Sequence, residues 1–135
     1  MTRIKTAGVL LGLGAVLALS GCFGSGGDSS DRDQIDQVMS DLQSASRDGD
    51  GAHICQEIFT PKLAALISRS AKSGNCATEV KAKLFAPNAE IDVQNVDLPD
   101  DSNATATVQE ANGNESKVYL VKQGGEWRIR SVTPA

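Results

Sequence analysis

The spacing of apolar residues changes from a helical period in the first half of the chain to a period of two in the second. After residue 31, apolar side chains recur every three or four positions, as on the buried face of an amphipathic helix. These residues are Ile35, Val38, Met39, Leu42 and Ala45. Ser30 or Asp31 can cap this helix, and Asp48-Gly49-Asp50-Gly51 can end it. The pattern therefore predicts a long first helix with one buried face.

Two further helical elements are predicted before Pro87. The second helical element of the chain begins with a short helix. A new helical start follows at Thr60-Pro61, because Thr is a good cap and Pro is a good first helical residue. Its apolar residues are Ile54, Cys55, Ile58, Phe59, Leu63, Leu66 and Ile67. Gly74-Asn75 separates it from a third helix at about Cys76–Phe85, which Pro87 prevents from continuing. Val80 and Leu84 would be the buried residues of that helix.

Beyond Pro87 the alternation predicts four antiparallel strands. Ile91 and Val93 share one parity but Val96 and Leu98 share the other, so a bulge is expected near Gln94-Asn95. Turns are expected at Pro99-Asp100-Asp101, Asn112-Gly113-Asn114 and Gly124-Gly125. The residues predicted to face the core are Ala104, Ala106, Val108, Val118, Leu120, Trp127 and Ile129. Those predicted to face away are Thr105, Thr107, Gln109, Lys117, Tyr119, Val121, Arg128 and Arg130.

Three helical elements followed by four strands predict an α+β domain with its helices on one face of the sheet. Residues 31–135 are enough for one domain with one modest core. Residues 22–30 are rich in Gly, Ser and Asp, and they cannot bury enough apolar area to become ordered. We expect this segment to be a flexible tether.

The N-terminal segment has the three regions of a secretory signal. Arg3 and Lys5 precede an apolar run from Ala7 to Leu19, which is shorter than the roughly 20 residues that a membrane-spanning helix needs. The closing residues Leu19-Ser20-Gly21-Cys22 resemble the lipobox of bacterial lipoprotein signal peptides. That resemblance implies removal of residues 1–21 and acylation of Cys22. The two chains of a diacylglyceryl group suffice for stable anchoring, so the resemblance implies a protein on the extracytoplasmic face of the cell membrane.

Cys55 and Cys76 are the only cysteines after Cys22. In an exported domain, two remaining thiols most simply form a disulfide. The alternative is a catalytic or metal-binding thiol. Zinc would need more nitrogen or sulfur ligands than His53 alone can add, so no metal or cofactor is predicted. His53 could activate a reduced Cys55 as a nucleophile, or it could be an ordinary surface histidine.

The helical elements and the closing stretch from Val118 to Ile129, with its Gly-x-Trp-x-Ile ending, resemble the nuclear transport factor 2-like superfamily. The resemblance implies a cone, in which a curved sheet wraps the helices and often leaves a cavity. The superfamily includes ketosteroid isomerase, polyketide cyclases and many binding or accessory domains, so the fold does not select a function. Isomerase chemistry needs an acidic base and buried donors inside the cone. Tyr119 is predicted to face outward, and Glu110 is the one strand acid near the predicted inner face. Asp36 and Asp41 could face the cavity mouth, but solvent exposure explains them equally well.

The chain carries 17 acidic and 13 basic side chains, a net charge of −4. This acidity, with no basic stripe in the sequence, argues against binding to nucleic acid and against electrostatic binding to anionic lipid. Acids concentrate between Asp28 and Glu57, and bases between Ile58 and Ala86. This asymmetry could face a partner or could be two solvated helix surfaces.

We expect a non-catalytic binding or accessory module of the cell envelope, acting on an envelope protein or a small apolar ligand. One alternative is an enzyme of cyclase or isomerase type that uses the cone cavity. Another is an interaction module that docks on a membrane protein through its charge asymmetry. The polar residues predicted on the outer sheet face favour a monomeric domain, because apolar surfaces dominate obligate dimer interfaces.

Overall fold

The chain forms an α+β domain, and a computed structural model describes residues 27–83 and 90–134. Its helices are α1 (Gly27–Asp48), α2 (Gly51–His53), α3 (Pro61–Ser70) and α4 (Cys76–Lys83). One π-helical turn, Ile54–Ile58, continues α2. The strands are β1 (Ile91–Asp100), β2 (Asn103–Glu110), β3 (Glu115–Gln123) and β4 (Glu126–Pro134). They form one open antiparallel sheet in the order β1-β2-β3-β4.

Helix α1 confirms the predicted apolar stripe. Ile35, Met39, Leu42 and Ala45 are buried, and Val38 is partly buried beside them. The helix ends at Asp48 as predicted, and Gly49 follows with a φ of 67°. It begins at Gly27, so Ser30 and Asp31 lie inside the helix and are not caps. Residues 27–30, which the sequence analysis assigned to the tether, are therefore helical.

The described part of the chain contains four helices where three were predicted, because an extended Phe59 makes the predicted restart at Thr60-Pro61 a separate helix. Phe59 pairs with Ile129 of β4, and the Thr60 N–H donates to the Ile129 carbonyl over 2.9 Å. This pairing separates α2 and its π turn from α3. Thr60 caps α3 as predicted, accepting a hydrogen bond from the Leu63 N–H at 3.2 Å.

Helices α2 and α4 approach each other at Gly51. A Cβ atom at this position would lie 2.2 Å from the carbonyl oxygen of Ala77, a distance that no side chain can occupy. Val80 of α4 is buried as predicted. The predicted end of this helix, with Leu84 and Phe85, lies outside the described residues.

The sheet contains the predicted bulge and a second one. The register with β2 shifts between Val93 and Asn95, which confirms the bulge near Gln94. The register of β3 with β4 also shifts, between Tyr119 and Leu120, so Arg130 is an extra residue of β4. Strict alternation missed this second bulge. Gly124 and Gly125 both have positive φ, as the predicted two-residue hairpin turn requires.

The first hairpin turn lies two residues later than predicted. Strand β1 continues through Pro99 and Asp100, and the chain turns at residues 101–102. The Asp100 carboxylate accepts hydrogen bonds from the N–H groups of Ser102 and Asn103, both at 2.8 Å. These bonds lower the pKa of Asp100.

One core lies between the helices and the inner sheet face. Every strand residue predicted to face the core is buried there: Ala104, Ala106, Val108, Val118, Leu120, Trp127 and Ile129. From the helical side, Ile54, Ile58 and Phe59 complete it. Leu66 of α3 is different, because 61% of it is exposed.

Candidate functional site

The predicted lipidation site and cleavage motif lie outside the described residues. These are Cys22 and the motif residues Leu19, Ser20 and Gly21. In the described part of the chain, no helix combines the length and the hydrophobicity needed to cross a membrane.

Cys55 and Cys76 form a disulfide, as predicted. Cys55 lies in the π-helical turn and Cys76 is the first residue of α4, so the bond links the second helical element to the last one. The backbone N–H of Cys76 donates to the Ser68 hydroxyl at 3.1 Å. Because Cys55 is bonded, it cannot act as a nucleophile beside His53.

His53 instead pairs with a carboxylate of α1. Its Nε2 lies 2.9 Å from Oδ2 of Asp41, and the backbone N–H of His53 donates to Asp50. The hydrogen bond that His53 donates to Asp41 raises the pKa of His53, and the nearby charges of Asp41, Asp50 and Glu57 act in the same direction. Asp36, the other acid considered on α1, is exposed. Among the described residues, neither acid lines the cavity between the helices and the sheet.

Within the described residues, side chains occupy most of the space between the helices and the sheet. A cavity of about 30 Å³ remains near the end of the sheet, bordered by apolar side chains and by Glu110 and Ser116. The Ser116 hydroxyl donates to Glu110 at 3.2 Å, so these two groups satisfy each other. This volume holds about one water molecule, whereas ligand pockets span about 300–1,000 Å³.

A buried carboxylate near the start of α1 joins that helix to the last hairpin. The Asp31 Oδ1 accepts hydrogen bonds from Lys122 Nζ at 2.6 Å and from Trp127 Nε1 at 3.1 Å. The Lys122 ammonium also lies 5.7 Å from the centre of the Trp127 ring. The hydrogen bond from Lys122, followed by that from Trp127, lowers the pKa of Asp31. Sequence reasoning missed this cluster and treated Asp31 only as a possible cap.

The outer face of the sheet carries a polar groove of about 320 Å³. We call it the outer-face groove, and it is lined by Asn95, Asp97, Thr105, Thr107, Lys117 and Tyr119. The strand register aligns these residues in two rows across β1, β2 and β3. One row is Asp97, Thr105 and Tyr119, and the other is Asn95, Thr107 and Lys117.

The six side chains of the outer-face groove have unused hydrogen-bonding capacity. Within residues 27–83 and 90–134, none of them has a side-chain hydrogen bond or ion pair to the protein. Tyr119 has one ring contact, with the guanidinium carbon of Arg130 5.9 Å from its centre. Alternation predicted that Thr105, Thr107, Lys117 and Tyr119 face outward. Asn95 and Asp97 join them because the bulge at Gln94 shifts their parity.

The outer-face groove offers groups that can bind a polar ligand. It combines two hydroxyls, a phenol, an amide, one carboxylate and one ammonium on neighbouring strands. Strands hold such groups at fixed spacing. In the described part of the chain, no group of three or more His, Cys, Asp or Glu side chains could hold a metal ion.

No protein-family model matches the chain, and neither the curated proteins nor the solved structures contain a match to it.

Proposed function

We propose that this protein is an extracytoplasmic lipoprotein, anchored in the cell membrane through Cys22, whose domain is a non-catalytic binding module of the cell envelope. Leu19-Ser20-Gly21-Cys22 after an apolar run supports the anchor. The disulfide between Cys55 and Cys76 supports export, since disulfides persist mainly in oxidising compartments.

The outer-face groove is the observation that carries the binding proposal. Its donors and acceptors are unpaired within the described protein, and they are closely spaced on three strands. Hydroxyl-rich ligands such as saccharide chains match this chemistry, because each sugar presents several donors and acceptors at similar spacing. The opposite charges of Asp97 and Lys117 leave the groove without a strong preference for an anion or a cation.

The filled interior favours this proposal over an enzyme of cyclase or isomerase type. Such an enzyme needs a cavity with convergent polar groups, and the described interior offers about 30 Å³ beside Glu110 and Ser116. A cavity of this volume also gives little support to the alternative that the core binds a small apolar ligand.

We also propose that the domain is a member of the nuclear transport factor 2-like superfamily. A four-stranded antiparallel sheet with helices packed against one face supports this assignment. The bulges at Gln94 and Arg130 support it too, because bulges increase twist and bend the strands that contain them.

The anchor is tested by Cys22→Ala and by the intact mass of the wild-type protein from its native membrane. We expect the wild type to carry acyl mass on Cys22, and the variant to accumulate as an uncleaved or mislocalised precursor. A mature wild-type protein without acyl mass would contradict the proposal.

The groove is tested by NMR titration of the protein with soluble oligosaccharides released from envelope glycan. We expect amide shifts in β2 and β3, and at least tenfold weaker binding for Tyr119→Ala or Lys117→Ala. Gln94→Ala is the matched control, because Gln94 is exposed on β1 but does not line the groove. Binding unaffected by the groove variants would refute this site, and chemical conversion of the sugar would identify an enzyme.

A further inference from the structure

Helix α3 lies on the surface of the domain and has no fully buried residue. Leu63, Ala64 and Ile67 pack partly against the core. The opposite side of the helix carries Lys62, Ala65, Leu66 and Arg69, all of them exposed. These four residues follow the i, i+3, i+4, i+7 spacing of one helix face, and we call them the α3 stripe.

The α3 stripe places an exposed leucine between two cations. Lys62 and Arg69 lie about one turn to either side of Leu66, and the exposed Lys72 follows the helix. In the described part of the chain, none of these three cations forms an ion pair with an acid. Leu66 and Val132 are the large apolar residues that the described surface exposes, and Leu66 is the more exposed at 61% against 39%.

The α3 stripe lies near the point where the N-terminal segment joins the domain. Asp31 of α1 is bonded to Trp127 of β4, and Thr60, the cap of α3, is bonded to Ile129 two residues further along that strand. Two residues of a strand span about 7 Å. Both α1, near its start, and α3, at its start, are therefore bonded to the same short stretch of β4.

The chain between Cys22 and Gly27 is too short to hold the domain far from its anchor. Five residues span at most about 18 Å even when fully extended. An acyl group on Cys22 would therefore keep the start of α1, and with it α3, close to the lipid headgroups.

We propose that the α3 stripe docks on the anionic lipid headgroups of the membrane that holds Cys22, with Leu66 entering the interface between Lys62 and Arg69. This inference rests on the proposed lipid anchor. Anionic lipid gives the outside of a leaflet a negative potential, which decays over a Debye length of about 8 Å at physiological ionic strength. Within that distance, the cations nearest the membrane surface determine the electrostatic interaction between the domain and the lipid. The net acidity of the chain, which argued against lipid binding at the sequence level, averages over charges on more distant faces.

The stripe sets the orientation of the domain and does not hold it on the membrane. The acyl chains supply the attachment, and they raise the effective concentration of lipid at α3. When the α3 stripe contacts the bilayer, the domain has one orientation. That orientation determines which surface of the sheet faces away from the membrane.

The test uses the full acylated protein in vesicles that contain bromine-labelled acyl chains, which quench tryptophan at the bilayer. Leu66→Trp reports on the stripe and Val132→Trp is the matched control. The native Trp127 is buried, with 3% exposed, and contributes the same background to both. We expect quenching of Leu66→Trp to be at least twofold stronger with 30% phosphatidylglycerol than with phosphatidylcholine alone, and no such gain for Val132→Trp.

Charge reversal in the Leu66→Trp protein distinguishes an effect of the α3 stripe from an effect of the net charge of the protein. Lys62→Glu with Arg69→Glu should abolish the gain, whereas Arg47→Glu with Arg130→Glu, an equal change at exposed sites elsewhere, should leave it. Equal quenching at positions 66 and 132, or a gain that survives reversal of the stripe, overturns the proposal. The same preparation is weighed intact: a missing acyl mass overturns the anchor and this inference together, while acylated protein without the gain overturns this inference alone.

Discussion

The Asp31 carboxylate accepts a hydrogen bond from the indole N–H of Trp127, 96 residues further along the chain, at 3.1 Å. Lys122 donates to the same oxygen atom. The N-terminal helix is thereby tied to the last hairpin at the point where the predicted tether joins the domain. Since the indole and ammonium donors are largely shielded from water, their loss of a shared acceptor should destabilise the domain.

Replacing Asp31 with Ala should lower the melting temperature by roughly 5 °C or more, because it leaves the Trp127 N–H and the Lys122 ammonium without their acceptor. Asp33→Ala is the control, since Asp33 is an exposed acid of the same helix. Circular dichroism melts of both variants check this. A loss no greater than that of Asp33→Ala would show that the cluster contributes nothing to stability.

The contribution of Asp31 should also depend on pH. Lys122 and Trp127 lower the pKa of Asp31, so its stabilising effect is complete above the ordinary aspartate pKa of about 4. It is lost as the pH falls through the lowered value. The difference in melting temperature between wild type and Asp31→Asn should therefore shrink from pH 6 to pH 2.5. A constant difference over that range would contradict the assignment.

The stabilisation by the pair of His53 and Asp41 should depend on pH in the opposite direction. Its hydrogen bond raises the pKa of His53, so the stabilisation is complete below the ordinary histidine pKa of about 6.5. It is lost as the pH rises through the raised value. We expect His53→Gln to be less stable than wild type at pH 5.5 and nearly equal to it at pH 8.5. The difference should be small because both side chains are partly exposed. Asp41→Asn should reproduce the profile, and an equal loss at both pH values would argue against it.

Loss of the disulfide should reduce the free energy of unfolding by about 3 kcal/mol in the chain-entropy model. Cys55 and Cys76 are 21 residues apart, and opening that loop enlarges the unfolded ensemble. Urea unfolding of wild type and of Cys55→Ala with Cys76→Ala measures the difference. Added reductant should destabilise only the wild type, and equal sensitivity of the two proteins would be inconsistent with the bond.

Gly51→Ala should destabilise the domain by about 1–3 kcal/mol, as overpacking commonly does. The added Cβ would lie 2.2 Å from the Ala77 carbonyl oxygen, and a backbone atom cannot rotate away as a side chain can. Ala52→Ser, at an exposed neighbouring position, should change stability far less. Denaturant titration of both variants tests the close approach of α2 and α4, and an unchanged Gly51→Ala midpoint would disprove it.

The domain should be monomeric at micromolar concentration. Its outer sheet face presents Lys117, Arg130 and the polar rows of the outer-face groove, and like charges brought together across a two-fold axis would repel. Light scattering on residues 27–135 measures this. A dimer that survives high salt and is broken by Tyr119→Lys or Val121→Lys would contradict the prediction.

Local periodicity was enough to predict the elements whose burial pattern lies within a few residues. The stripe of α1, the cap of α3 at Thr60 and the bulge at Gln94 were predicted because each is a relation between near neighbours in the chain. The partnership of Cys55 with Cys76 was predictable for another reason, since an exported domain with two remaining thiols has one simple pairing. The outward positions of the groove residues on β2 and β3 followed from alternation alone.

Tertiary structure decided the features that depend on partners far away in the sequence. Phe59 is extended and pairs with Ile129, a contact that the predicted restart at Thr60-Pro61 did not indicate. Asp31 is buried because its donors arrive from residues 91 and 96 positions later, and no pattern near residue 31 could indicate them. Leu66 is exposed, and the parity of β4 changes at Arg130, because only the packed domain determines which side of an element meets another. Periodicity identifies an apolar face, but the free energy of burying that face depends on the surface that packs against it.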